Sequence, residues 1–205
     1  GVPLFSTGEM RPGLVHRIDK ATSGILVVAR SELALNRLAR QFYDRTTTRT
    51  YLALVWGTFD PPEGTISGNI GRCVRDRTRM QVFPAGEQGK HAVTHYMEVE
   101  RMGYVSLVEC RLETGRTHQI RVHLAHIGHP VFGDKTYGGA NPNLAGGSHH
   151  NRQYAFNLLS LMPRQALHAK TLGFVHPATR EPIRFDSELP EDFKAVACDR
   201  MVEDE

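Results

Sequence analysis

The chain reads as an α+β domain built on a mixed, largely antiparallel sheet, and three observations lead there. Between about residues 46 and 113, β-branched and aromatic segments follow one another with only turns between them. Helical periodicity is confined to a few short windows. No repeated strand–helix–strand pattern of the kind that builds a parallel sheet is present. With 205 residues and 40% hydrophobic content, the chain can bury one sizeable core or at most two small ones.

Each element has its own signal. Residues 1–10, punctuated by Gly and Pro, form a lead-in segment. PGLVHRIDKATSGILVVAR (12–30) then sets Asp19 between Arg17 and Lys20 and a Thr-Ser-Gly turn, with Ile25, Leu26, Val27 and Val28 following as a short strand. Ser31 is a good N-cap for a helix over 31–44, whose Leu35, Leu38, Ala39 and Phe42 form one apolar stripe. TTTRTYLALVW (46–56) is a strand by its β-branched and aromatic content. Pro61, Pro62, Glu63 and Gly64 make a turn. Short strands follow near 65–70, 79–83, 91–102 and 104–113, the last pair joined through Met102 and Gly103. Thr117 is placed to cap a helix running to about 127, which Gly128 stops and Pro130 follows. GGANPNLAGGSHH (138–150) has loop composition. A helix near 151–161, strands near 165–175 and 181–186, and a terminal helix near 190–200 complete the chain.

Composition narrows the function. The formal charge of +3 is mild, but Arg72, Arg75, Arg77 and Arg79 crowd into one stretch. That run suits phosphate contacts; it equally suits a solvated hairpin edge kept apart from other edges by charge. Cys73, Cys110 and Cys198 are an odd, scattered set without a CxxC, which favours a reducing compartment, and a cytoplasmic location is expected. No apolar run approaches the ~18 residues of a membrane span, so no membrane partner is expected. His118, His123, His126 and His129 invite a zinc reading, yet no acidic third ligand follows at a familiar distance. Separate hydrogen-bonding or phosphate-facing roles fit them better. Nothing calls for a metal or an organic cofactor.

Asp19 is the first candidate for chemistry. An acid at a strand-to-turn corner can project into a cleft from a rigid base, and nearby cations favour its charged form. Taken alone, it could as well cap the turn or make a surface ion pair. On the helix after 117, Ile120, Leu124 and Ile127 face the core, and Arg121 lies one position round, where its head could reach a cleft or simply face solvent.

Four blocks together resemble the RluA/RluD family of pseudouridine synthases: HRIDKATSG, RTYLALVWG, GRTHQIRVHLAHIGHPVFGDKTYGG and LHAKTLGFVHP. They occur in family order, and the similarity runs from about 11 to 193. The closest likeness is to RluD-type enzymes that modify large-subunit ribosomal RNA. The resemblance implies a pseudouridine synthase fold over 11–200 and a cofactor-free isomerase acting on RNA. It makes Asp19 the catalytic aspartate, Arg121 its basic partner, and Tyr51 the residue that packs on the uracil and helps remove a proton late in the reaction. Arg17 would contact the flipped-out nucleotide or fill its place, Ile120 or Val122 would line the pocket, and Arg116 and His118 would join the substrate contacts. Ala21 stands where many relatives carry an acid, and Ile18 replaces the commoner Leu.

Residues 1–10 hold neither the N-terminal strand nor the Lys-Pro-rich motif usual upstream, so a catalytic domain without an S4-type RNA-binding domain is expected, acting as a monomer. The alternatives are a non-catalytic RNA-binding or ribosome-assembly module that keeps the fold, and a hydrolase using Asp19 as nucleophile. The second would need another carboxylate as general acid, and neither signature block offers one.

Overall fold

The computed structural model describes residues 4–5, 12–84, 87–146 and 148–198; most of the expected lead-in, and the end of the expected terminal helix, lie outside them. Its centre is a strand that both neighbours pair antiparallel, β2 (Thr48–Trp56), between β6 (Val105–Leu112) and β7 (Leu167–Val175). β-Branched and aromatic residues with buried partners on both faces explain why this segment is central. Outward from β6 come β5 (Lys90–Met102), β3 (Glu63–Arg72) and β4 (Met80–Phe83), all antiparallel. On the far side of β7 lie the short parallel β1 (Ser23–Gly24) and the antiparallel β8 (Pro182–Asp186), paired with successive stretches of it. The sheet is therefore mixed and mostly antiparallel, as expected.

The helices are α1 (Glu32–Tyr43), α2 (Gln119–His126), α3 (His149–Leu161) and α4 (Glu191–Cys198), with a 3-10 turn at Pro142–Ala145. The main core joins Leu54, Val55, Phe59, Val108, Leu124, Phe132, Met162 and Phe193. A smaller cluster sets Leu38 of α1 against Leu172 and Phe174 of β7, and a third gathers Ile70, Ala92, Val122 and Tyr137. Among the described residues no helix is long and apolar enough to cross a membrane. Cys73 and Cys110 are free thiols, and burial pushes Cys110 up to about 12.

Several local expectations are corrected. Residues 25–28 are not a ladder strand. Pairing with β7 stops after Gly24 and the Ile25 N–H, and Val27 N–H then turns to His16 Nε2 (3.1 Å) while Ala29 N–H turns to Gly13 O (2.8 Å). Gly24, at φ +107, permits the close approach to β7: a Cβ there would lie 2.2 Å from Ala169 O. On α1, Ser31 does cap, accepting from Ala34 N–H (3.2 Å), but Ala39 is exposed, and Ala34, Leu35, Leu38 and Phe42 carry the inward face. His118, not Thr117, is the N-cap of α2, in the left-handed conformation and without a side-chain cap. The stretch 138–150 is partly ordered into the 3-10 turn and the first residues of α3.

Candidate active site

Asp19 sits in a tight turn closed by Thr22 N–H donating to its carbonyl (3.0 Å). The turn is fastened from outside by residues just before β7. Gln165 Nε2 donates to Lys20 O (2.8 Å) and Thr22 Oγ1 (3.2 Å), and Arg164 Nη1 to Ala21 O (3.0 Å). Ser23 Oγ meets His168 Nδ1 (2.9 Å). These contacts answer the backbone groups that a bend of this kind leaves unpaired, so the carboxylate is presented from a rigid corner.

The turn forms one wall of a cleft of about 610 Å³. Tyr51, from β2, and Ile120, from the first turn of α2, line it with Asp19, as do Arg17, Arg116 and His118. The structure thus brings together all but two of the expected residues at the cleft surface. Arg121 is one of the two, and it lies behind the wall: it is 5% exposed, and its Nη1 reaches Asp19 Oδ2 at 3.3 Å. Val122 is the other, and here the expectation is corrected. Two residues beyond Ile120 is more than half a helical turn, so Val122 faces the opposite way, into the cluster with Ile70, Ala92 and Tyr137.

The arginine is held by a residue that the sequence reading did not single out. Asp134 binds the guanidinium with both oxygens, Nε to Oδ2 at 2.7 Å and Nη2 to Oδ1 at 2.9 Å. Its side chain is 1% exposed, and Oδ1 also accepts from Thr136 N–H (2.9 Å) and Tyr137 N–H (3.2 Å). Burial opposes the Arg121 charge, but the hydrogen bonds and charge of Asp134, helped by Asp19, outweigh it and raise the guanidinium's pKa. Tyr137 lies beside the pair: Arg121 Cζ is 5.1 Å from its ring, and its Oη is 2.8 Å from His118 Nδ1. The same hydroxyl accepts from Met80 N–H (2.9 Å), and Arg79 Cζ lies 5.4 Å from the ring. The arginine-rich β3–β4 hairpin is thereby tied to the cleft. The only hint in the sequence was the Asp-Lys-Thr-Tyr pattern, which reads first as a turn.

Electrostatics separate the roles further. Burial raises the Tyr51 phenol above its ordinary pKa, with Arg49 opposing and Asp19 adding to the rise. Burial lowers His118, so its imidazole is neutral near pH 7. His123 is fixed by Thr94 Oγ1 (2.9 Å) and His129 by Trp56 O (2.9 Å), so these two histidines point to separate partners. The loop entering α2 is pinned by Gln119, which donates to Val93 O (2.9 Å) and accepts from Arg116 N–H (2.9 Å).

Comparison with solved structures sets the class first. The human protein titled RNA Pseudouridylate Synthase Domain Containing 1 superposes with a TM-score of 0.69 at 31% identity, over 89% of this chain and 71% of its own. Human RNA Pseudouridylate Synthase Domain Containing 4 gives 0.68 at 25%, over 91% and 75%. The architecture is that of a pseudouridine synthase. Residues 3–126 match the family model for RNA pseudouridylate synthase, and the chain belongs to that family. An uncharacterized RNA pseudouridine synthase of Chlorobaculum parvum is 52% identical over 189 residues, 92% of this chain and 58% of that protein. Ribosomal large subunit pseudouridine synthase D of Zymomonas mobilis is 44% identical over 191 residues, 92% of this chain and 56% of that protein. The chain therefore spans little more than half the length of these relatives.

Proposed function

We propose that this chain is the catalytic part of an RNA pseudouridine synthase, that its substrate is large-subunit ribosomal RNA, and that Asp19 is the catalytic carboxylate. The observation that carries the reading is Asp19 at the cleft wall, 3.3 Å from a buried arginine that Asp134 already grips with both oxygens. The relatives named for the large ribosomal subunit support the choice of RNA. The work is expected to be done in the cytoplasm by a monomer, with residues 11–200 as the catalytic unit.

The reaction breaks the bond between sugar C1′ and uracil N1, turns the base, and joins C1′ to C5, whose proton leaves for N1 or solvent. A carboxylate suits the sugar step, as in retaining glycosidases, where one attacks or stabilises an electron-poor anomeric carbon. Asp19 acts there, either adding to the sugar or drawing a proton from it. Ile120 and Tyr51 give the base flat and apolar walls that keep it from leaving and exclude water. The buried phenol is protonated at rest, so Tyr51 serves first as a wall; it takes part in removing the C5 proton only by passing its own proton on in the same step. Extruding the uridine costs about a few kcal/mol, and Arg17, exposed at the rim, offsets part of that by stacking or by phosphate contact.

The test incubates the protein and Asp19→Asn with uridine-labelled large-subunit ribosomal RNA, and scores isomerised, released and unchanged uracil. Isomerisation that the substitution abolishes supports the proposal. Free uracil indicates a hydrolase, and binding without either product indicates a non-catalytic module.

A further inference from the structure

We infer that Arg49 is a phosphate-binding residue, which grips a backbone phosphate of the strand whose uridine enters the cleft; this rests on the proposal that the cleft takes RNA. The carboxylates that line the cleft are all engaged: Asp19 with Arg121, Asp44 with Arg40 at 2.6 Å, and Glu113 with His95 at 2.7 Å. The cations that line it are Arg17, Arg45, Arg49 and Arg116. Four arginines against three carboxylates leave the lining net positive, which is what a polyanion needs.

Arg49 differs from the other cations in its burial. It is half-buried, and its Nε is out of contact with solvent and has no hydrogen-bond partner among the described residues. Burial acts first to lower its pKa; the neighbouring Tyr51 phenol opposes that, and another cation, Arg45, adds to it. A guanidinium desolvated at Nε and given no acceptor there is costly, and an anion in the cleft that meets its other donors would offset that cost. The head is also held in place beforehand. Its Cζ is 5.7 Å from the Phe42 ring, on which His16 also stacks at 4.4 Å. A Cβ built on Gly115 would lie 3.0 Å from Arg49 Nη1, so the guanidinium lies over a residue without a side chain.

His16 adds no competing charge, since burial and then Arg49 lower its pKa to about 4. Arg49 and Tyr51 stand two residues apart on β2 and both line the cleft. A phosphate held by the first would therefore place its nucleotide beside the second. Arginine's planar fork fits a phosphate with two parallel hydrogen bonds, which a lysine cannot supply.

Packing of the methylenes on Phe42 is the competing role, and methionine preserves it. Binding of a large-subunit ribosomal RNA transcript is measured over a range of salt for the wild type, Arg49→Met and Arg49→Lys, with melting temperatures and steady-state isomerisation alongside. Arg49→Met should weaken binding about 10- to 100-fold, flatten the salt dependence by about 0.7 per lost phosphate contact, and raise KM far more than it lowers kcat. Arg49→Lys should restore the salt dependence but only part of the affinity. The melting temperature of Arg49→Met should equal or exceed that of the wild type, because a half-buried cation without a counter-ion among the described residues has been removed. Unchanged RNA affinity in Arg49→Met, with or without a lower melting temperature, overturns the assignment. RNA binding that depends on Arg49 without any isomerisation overturns the proposed activity and leaves the phosphate site standing. Isomerisation with KM and kcat both untouched by the substitution does the reverse.

Discussion

Replacing Asp134 with Asn separates the support of the site from its chemistry. The side chain is 1% exposed and gives Arg121 two charge-assisted bonds, at 2.7 and 2.9 Å, against one at 3.3 Å from Asp19. Asparagine keeps the shape and one acceptor, which can still serve Thr136 and Tyr137. Its amide nitrogen, however, would face an Arg121 donor, and the buried cation would lose its stronger counter-ion. Breaking a buried pair on one side costs about 3–5 kcal/mol. The surviving Asp19 contact moderates this, and about 3 kcal/mol is expected, or roughly 6–12 °C in melting temperature for a domain of this size. Asp19→Asn removes only the longer bond at the cleft wall and should cost about 1 kcal/mol while abolishing isomerisation. Urea denaturation gives the stabilities, and single-turnover isomerisation of ribosomal RNA gives the rates. Asp134→Asn should slow turnover about 100-fold or more, because Arg121 is then free to close on Asp19. A variant as stable and as fast as the wild type would show that Asp134 does not hold the arginine, and the argument built on it would fall.

Three further outcomes follow from the same structure. His16 and His123, both lowered to about 4 chiefly by burial, are neutral in the fold, so between pH 6.5 and 4 the unfolded chain binds more protons. Stability should be full above pH 6.5 and fall below it by up to about 1.4 kcal/mol per pH unit for each histidine, seen as a dropping urea midpoint; a flat profile would contradict their burial. Gly24→Ala forces a Cβ to within 2.2 Å of Ala169 O at φ +107, and should cost about 2–4 kcal/mol with loss of activity as the Asp19 turn lifts from β7. Val122→Ala should lose about 1–2 kcal/mol of stability with kinetics unchanged, whereas Ile120→Ala should reduce kcat/KM, a contrast that steady-state assays and melting curves read directly.

Much of the scaffold was legible because its signals are local. The β2 segment has β-branched and aromatic content that suits a central strand whatever surrounds it, and Ser31 caps α1 through a bond only three residues away. Gly128, at φ +90, ends α2 where its backbone freedom is needed. What failed depended on partners far away in sequence. The apolar 25–28 run looks like a strand, but the backbone donors of Val27 and Ala29 find His16 and Gly13 before any ladder reaches them. The pairing of Arg121 with Asp19 spans 102 residues and was expected only through family resemblance. Asp134 escaped because an Asp at a turn ordinarily bonds its own backbone. It does so here too, with Thr136 and Tyr137, and nothing local shows that the other oxygen is spent on a buried arginine.

The unequal grip on Arg121 bears on why a carboxylate can work beside a guanidinium at all. A tight bidentate pair would occupy both Asp19 oxygens and hold the acid against movement towards the sugar. Here Asp134, deeper and fully engaged, takes the two short bonds, and Asp19 is left with a single longer one. Two acids to one base also leave the cluster with a net negative charge, at the one point of the cleft where an electron-poor sugar carbon would develop positive character. The arginines elsewhere along the cleft, Arg17, Arg45, Arg49 and Arg116, have no carboxylate partner among the described residues. On the proposed function, opposite charges are thus sorted by depth and position, negative where the sugar step would need an electron pair and positive where the strand would be held. That sorting depends on Asp134 keeping both of its bonds to Arg121, out of reach of water.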